Sequence, residues 1–114
     1  MVRHIVWWNL KDNAGGRDAA ANVWHIQRAS AMLHGSPHLT TIEVCNKVEP
    51  STTVAAQSVM TTTHKNMEDL EAFRSSSIYT QFMEMVNPLA ISHEVIDFDV
   101  DLDPALAGMG KPVD

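Results

Sequence analysis

His4 is the side chain in this sequence best suited to proton chemistry, and it stands where a polar group is unexpected. It is the third residue of VRHIVWWNLK, Val2 to Lys11, in which six of ten residues are apolar and two are tryptophan. An imidazole near its ordinary pKa can take or give a proton at neutral pH. Buried without a partner, it would cost about 1–3 kcal/mol. His4 therefore either makes a structural hydrogen bond or faces a pocket where a ligand supplies one. His25, His34, His38 and His64 read as residues of helix ends or loops, and no two histidines sit four apart within one helix, the spacing of a helical metal pair.

Two other patterns carry potential chemistry. Asp97, Asp99, Asp101 and Asp103 alternate, so their carboxylates fall on one side of a strand end. Such oxygens could hold a divalent cation, but the simpler reading is a solvated edge that discourages stray pairing, and no metal is expected. Cys45 is alone, which excludes an internal disulfide. Its neighbours in EVCNK offer only Lys47 as a cation, so it reads as a small buried hydrophobe in a reducing compartment.

Positioning these groups requires four strands and two helical regions. The first strand ends in the turn residues KDNAGG. Arg17 to His34 repeats Ala19, Val23, Ile26, Ser30 and Leu33 at helical spacing, and Gly35-Ser36-Pro37 stops it. HLTTIEVCNKV forms a second strand, EPST a turn, and TVAAQSVMTTT a β-branched third strand. Asn66 caps a helix whose buried stripe is Met67, Leu70 and Phe73. Ser75 to Ser77 interrupt and recap a further helix carrying Ile78, Tyr79, Phe82 and Val86, ended by Asn87-Pro88. AISHEVIDFDV is the last strand. The order βαββαβ implies an α+β, ferredoxin-like sheet with its helices on one face.

Both faces of that sheet are apolar. His4, Val6, Trp8 and Leu10 share one face and Ile5 and Trp7 the other, while Ile96, Phe98 and Val100 oppose His93 and Val95. Helices cover one face only, so the patch around Trp7, Ile96 and Phe98 calls for a second copy, and a homodimer is expected. Trp24 points away from the apolar stripe of its helix.

At 114 residues the chain is one domain, expected over residues 1–101 with a loose Pro/Gly-rich tail at 102–114. Eight basic against fourteen acidic residues give a net charge of −6, which argues against a nucleic-acid surface. No apolar run reaches the length of a membrane span and no leader pattern precedes the first strand, so no membrane association and a cytoplasmic location are expected.

HIVWWNLKD, LTTIEVCNKVEPS, HKNMEDLEAFRSS and FMEMVNPLAISHEVIDFDV, in this order, resemble the stress-responsive A/B barrel (Dabb) domain from about residue 2 to 101. The resemblance implies dimers whose two sheets form an α+β barrel, with a cavity between each sheet and its helices. The family includes plant stress proteins and a polyketide cyclase that performs aldol chemistry without cofactor or metal. On its pattern His4 faces the helices beside Trp8, with His93 close by on the neighbouring last strand. The small residues Ala29 and Ser30 leave space opposite, with His25 on the flank. Val6, Trp8, Met60, Phe73, Phe82 and Val86 would line a pocket for a small apolar or aromatic ligand. The cyclase's proposed base is a histidine in the helical segment before the last strand, with a tyrosine near it. Here Tyr79 stands at that histidine's place and Phe73 at the tyrosine's, which leaves His4, Tyr79 and His93 as the candidate catalytic groups.

The expectation is thus a dimeric small-molecule-binding protein without a cofactor. Alternatives are a cofactor-independent enzyme of cyclase or monooxygenase type, and a purely structural stress protein whose stable assembly is its function. An RNA-recognition module shares the strand–helix order but needs basic residues that this chain lacks.

Overall fold

The computed structural model describes residues 1–47 and 53–101. The expected tail at 102–114, the whole expected turn EPST at 49–52, and Asp103 lie outside these residues. Strand β1 spans Val2–Leu10. Gly15 and Gly16 follow at φ 59° and 77°, a pair of left-handed residues that closes a tight hairpin between β2 (Asn13–Ala14) and β3 (Arg17–Asp18). Helix α1 (Ala19–Ala29) therefore begins two residues later than its periodicity suggests, with the Asp18 carboxylate capping the Ala21 N–H. A 3₁₀ turn, Ser30–Leu33, completes it.

Strand β4 (Thr41–Asn46) and strand β5 (Ser58–His64) follow. The third long strand is shorter than TVAAQSVMTTT implies. Residues 53–57 are irregular because Gln57 is used otherwise: its Oε1 accepts from the Leu10 N–H at 2.6 Å and its N–H donates to the Trp8 carbonyl. Helix α2 (Met67–Ser75) starts at the expected Asn66 cap, and Ser76 caps α3 (Ser77–Val86). Leu70 and Phe73 are buried, but Met67 is 49% exposed, since it occupies the first helical position and turns outward. Asn87–Leu89 form a 3₁₀ turn that leads into β6 (Ala90–Asp99).

The four long strands form one antiparallel sheet in the order β4-β5-β1-β6. This is the ferredoxin-like α+β arrangement, with the helices on one face. The core lies under them, where Val6, Trp8, Ile26, Leu33, Met60, Phe73, Phe82 and Val86 are fully buried.

The other face is open, and the register lays it out in rows. Thr41, Thr63, Arg3 and Phe98 form the first row, and Glu43, Thr61, Ile5 and Ile96 the second. Cys45, Val59, Trp7 and Glu94 form the third. Cys45 is thus exposed on this face, not buried as its composition suggested, because it shares the parity of Thr41 and Glu43. Phe98 and Ile96 keep 45% and 39% of their surface exposed, and Trp24 lies exposed on the outside of α1.

Candidate functional site

Three elements converge on His4. Its β1 position pairs directly with Asp97 of β6, so the two side chains point to the helix side together. The Ser76 cap starts α3 above them and brings Tyr79, in the first turn, down onto the imidazole. His4 Nδ1 lies 2.6 Å from Asp97 Oδ1, and His4 Nε2 lies 3.0 Å from the Tyr79 hydroxyl. An ionised carboxylate only accepts, so Nδ1 carries the proton and donates to Asp97. Nε2 is then left to accept from the Tyr79 O–H. Arg74, on the last turn of α2, donates from Nη1 to the other Asp97 oxygen at 3.2 Å.

Electrostatics agree with that assignment. Burial holds the His4 imidazole below its ordinary pKa; the hydrogen bond and charge of Asp97 offset this only in part, while Arg74 adds to it. Burial also raises the Tyr79 phenol, with Asp97 in the same direction and Arg74 against it. Both groups are therefore neutral near pH 7, as a phenol donating to an imidazole requires. The result is an ordered chain: Arg74 to Asp97, Asp97 to His4, His4 to Tyr79.

Arg74 and Asp97 are exposed, and Tyr79, although buried to all but 8%, ends this chain at a surface groove. Tyr79 lines this groove, of about 460 Å³, with Arg74, Thr80, Met83, Glu84, Asn87 and Pro88. Asn87 is fixed from below, since its Oδ1 accepts from Trp8 Nε1 at 3.1 Å. The groove therefore offers apolar surface from Met83 and Pro88 between two polar ends.

The expected pocket between sheet and helices is filled. Val6, Trp8, Met60, Phe73, Phe82 and Val86 have no accessible surface, so no water-sized space touches them. The Trp8 and Phe82 rings meet edge to face at 6.1 Å. Ser30 turns its hydroxyl onto the Gln27 carbonyl at 2.6 Å and lines a hollow of about 400 Å³ with Gln27, His34, Ile42 and Val44, apart from the His4 chain, while Ala29 packs against the core. His25 lies half-buried on α1, its pKa lowered by its partial burial and by Arg17 and Arg28, away from the His4 chain.

His93 does not join His4. It pairs with Trp8, four residues down β6 from Asp97, about 13 Å away at strand spacing, and it is exposed. The acid at position 97, read in the sequence as part of a solvated edge, is the residue that stands where a histidine partner was expected. His64 also differs from expectation. It is fully buried at the end of β5, with Nδ1 donating to the His38 carbonyl at 2.6 Å and Nε2 accepting from the Thr62 hydroxyl at 2.8 Å. Its ring packs at 4.9 Å from Phe73, which in turn packs on Tyr79. The signal for both residues was strand parity: His64 lies opposite Val2, and Asp97 opposite His4. Among the described residues no group of three or more His, Cys, Asp or Glu side chains is placed to hold a metal ion. No helix among them is long and apolar enough to cross a membrane.

Comparison with known proteins gives the same architecture. The family model for the stress responsive A/B barrel domain (Dabb) matches residues 2–100. A dimeric ferredoxin-like protein of unknown function from Thermobifida fusca has 12% identity over 87% of this chain and 90% of that one, with a TM-score of 0.73. A Dabb family protein from Mesorhizobium loti has 16% identity over 90% and 97%, with a TM-score of 0.70. The hydroxynitrile lyase of Passiflora edulis has 16% identity over 88% and 93%, with a TM-score of 0.74. No curated protein matches this chain. At these identities the solved structures speak to the fold alone.

Proposed function

The chain belongs to the stress-responsive A/B barrel family, and on that premise we propose that it is a homodimer with a small-molecule acid–base site at Tyr79. The observation that carries this reading is the hydrogen-bonded chain Asp97–His4–Tyr79, whose outer member lines the groove beside α3. A ligand hydroxyl would donate to the Tyr79 oxygen while the phenol passes its own proton to His4 Nε2. The imidazolium formed would be held by the Asp97 carboxylate at Nδ1. Run backwards, the same chain protonates an oxyanion. The ligand class is a small, mostly apolar aldehyde, ketone or alcohol, with its oxygen at Tyr79 and its apolar part along Met83 and Pro88. This is cofactor-independent chemistry of the kind the cyclase and monooxygenase alternatives would also need.

The homodimer rests on the open face. Ile5, Trp7, Val59, Ile96 and Phe98 form one apolar patch there, which a second copy would cover. The similar Thermobifida fusca protein is dimeric. The acidic balance of the chain favours a small-molecule partner over a nucleic acid, and a cytoplasmic location fits the lone cysteine.

A structural role for the whole chain is the second reading. It is favoured by one observation: His4 is fully buried in a filled core with both ring nitrogens bonded. Protein-observed NMR of the isotope-labelled chain, titrated with a set of small aromatic aldehydes, ketones and alcohols, separates the two. The site reading expects binders that shift Tyr79, Met83 and Asn87, with affinity reduced about tenfold or more, at least 1.4 kcal/mol, in Tyr79→Phe. Absence of binders, or equal binding by the variant, leaves the structural reading.

A further inference from the structure

Arg3 and Glu43 are the two opposite charges in the first two rows of the open sheet face. They flank a hollow of about 400 Å³ floored by Thr61 and Thr63. Among the described residues neither makes an ion pair or a side-chain hydrogen bond. In an isolated protomer water solvates both. In a homodimer closed through this face they would lose that water, and a buried charge without a partner is strongly unfavourable. Each therefore needs an opposite charge from across the interface.

We infer that Arg3 of each protomer pairs with the partner's Glu43, and that these two symmetric ion pairs set how the two sheets cross. The inference rests on the homodimer reading above. A two-fold interface makes every contact twice with roles exchanged, so one operator must carry Arg3 onto the Glu43 position and Glu43 onto the Arg3 position. Arg3 and Glu43 lie two strands and one row apart, about 12 Å at strand spacing of ~4.8 Å and ~3.3 Å per residue. The two-fold that exchanges them lies in the interface plane and passes over β5 between Thr61 and Thr63, about 35° from the strand direction by the same spacings. The two sheets then cross at about 70°, near the orthogonal class of sheet packing.

That operator was chosen for the charges alone, yet it also buries the apolar patch. On the flat register it lays Ile96 over the partner's Val59 and sets Trp7 between the partner's Trp7 and the partner's Ile96. Glu94 falls between the partner's Trp7 and the partner's Asn9, toward the end of the strands. Charge pairing and apolar burial thus select one arrangement.

Analytical ultracentrifugation of the full chain, Arg3→Glu, Glu43→Arg and the double swap tests this. Both positions are exposed in the protomer, and far-UV circular dichroism checks that each variant folds. Each single reversal breaks both pairs and sets like charges together, so each should raise the dimer Kd about tenfold or more. The double swap restores the pairs and should return to within about threefold of the wild type. Single variants within twofold of wild type, or a double swap no tighter than the weaker single, overturn the ion pairs while the dimer stands. A wild-type chain that sediments as a monomer at every concentration overturns the dimer itself and the pairs with it.

Discussion

Lowering the pH should weaken this fold through His4 in particular. Four groups act on the buried imidazole: Asp97, which favours the charged form, and Tyr79, Arg74 and His64, of which the last two disfavour it by charge. Burial is the largest effect, and it holds the folded pKa below the ordinary histidine value of about 6.5. The sign follows directly. Above pH 6.5 both folded and unfolded His4 are neutral, and its contribution is fully present. Below 6.5 the unfolded imidazole takes a proton that the folded one refuses, so stability falls until the folded pKa is reached. Within that window one proton is worth at most about 1.4 kcal/mol per pH unit. Against a domain stability of about 5–15 kcal/mol, a slope of that size is readily measured. Urea unfolding followed by tryptophan fluorescence, at fixed protein concentration from pH 8 to 5, is the assay; buried Trp8 supplies the signal. His4→Gln should cost about 1–3 kcal/mol at pH 8, because it disturbs the bonds to Asp97 and Tyr79. It should also flatten the slope below pH 6.5, leaving the contribution of His25, whose pKa is shifted the same way. A wild-type protein as stable at pH 5 as at pH 7.5, or a slope that survives intact in His4→Gln, refutes the assignment of a neutral His4.

Asp97→Asn should lower the pKa of both His4 and Tyr79, since the carboxylate raises both, and Arg74→Ala should raise both. Histidine proton NMR and the ultraviolet titration of the single tyrosine read these shifts, and opposite signs would undo the proposed chain. Phe82→Ala should cost about 3–5 kcal/mol by leaving a void against Trp8, whereas Asn66→Ala should cost about 1 kcal/mol through its cap alone, both read from the urea midpoint.

Much of the architecture was legible because it rests on local rules. Asn66 and Ser76 cap where short polar side chains precede apolar stripes, and β1 declares its two faces by alternation. The site was less legible because it depends on register. Alternating aspartates at the end of β6 look the same whether they face water or a buried histidine, and only the pairing of β6 with β1 distinguishes Asp97 from its neighbours. His64 was missed for the same reason, since a histidine closing a threonine run resembles the start of a loop until its place opposite Val2 is known. The extent of open space was the least legible feature: the small Ser30 does line a hollow beside β4, but spacing alone does not reveal that the Trp8, Phe73 and Phe82 rings fill the interior behind it.

Strand β6 joins the two halves of the functional reading. Its inward side carries Asp97, which fixes the tautomer of His4, and its outward side carries Ile96 and Phe98, two exposed apolar residues of the open face. It is an edge strand whose one neighbour in the sheet is β1, and all but its first residue are exposed. Such a strand is the part of a sheet that opens most readily. A partner packed on Ile96 and Phe98 would hold the strand that holds Asp97, while the Arg74 guanidinium steadies the same carboxylate from α2. Assembly and proton chemistry then depend on one strand. A change at Phe98, on the face opposite His4, should therefore loosen the Asp97–His4 bond without touching either residue.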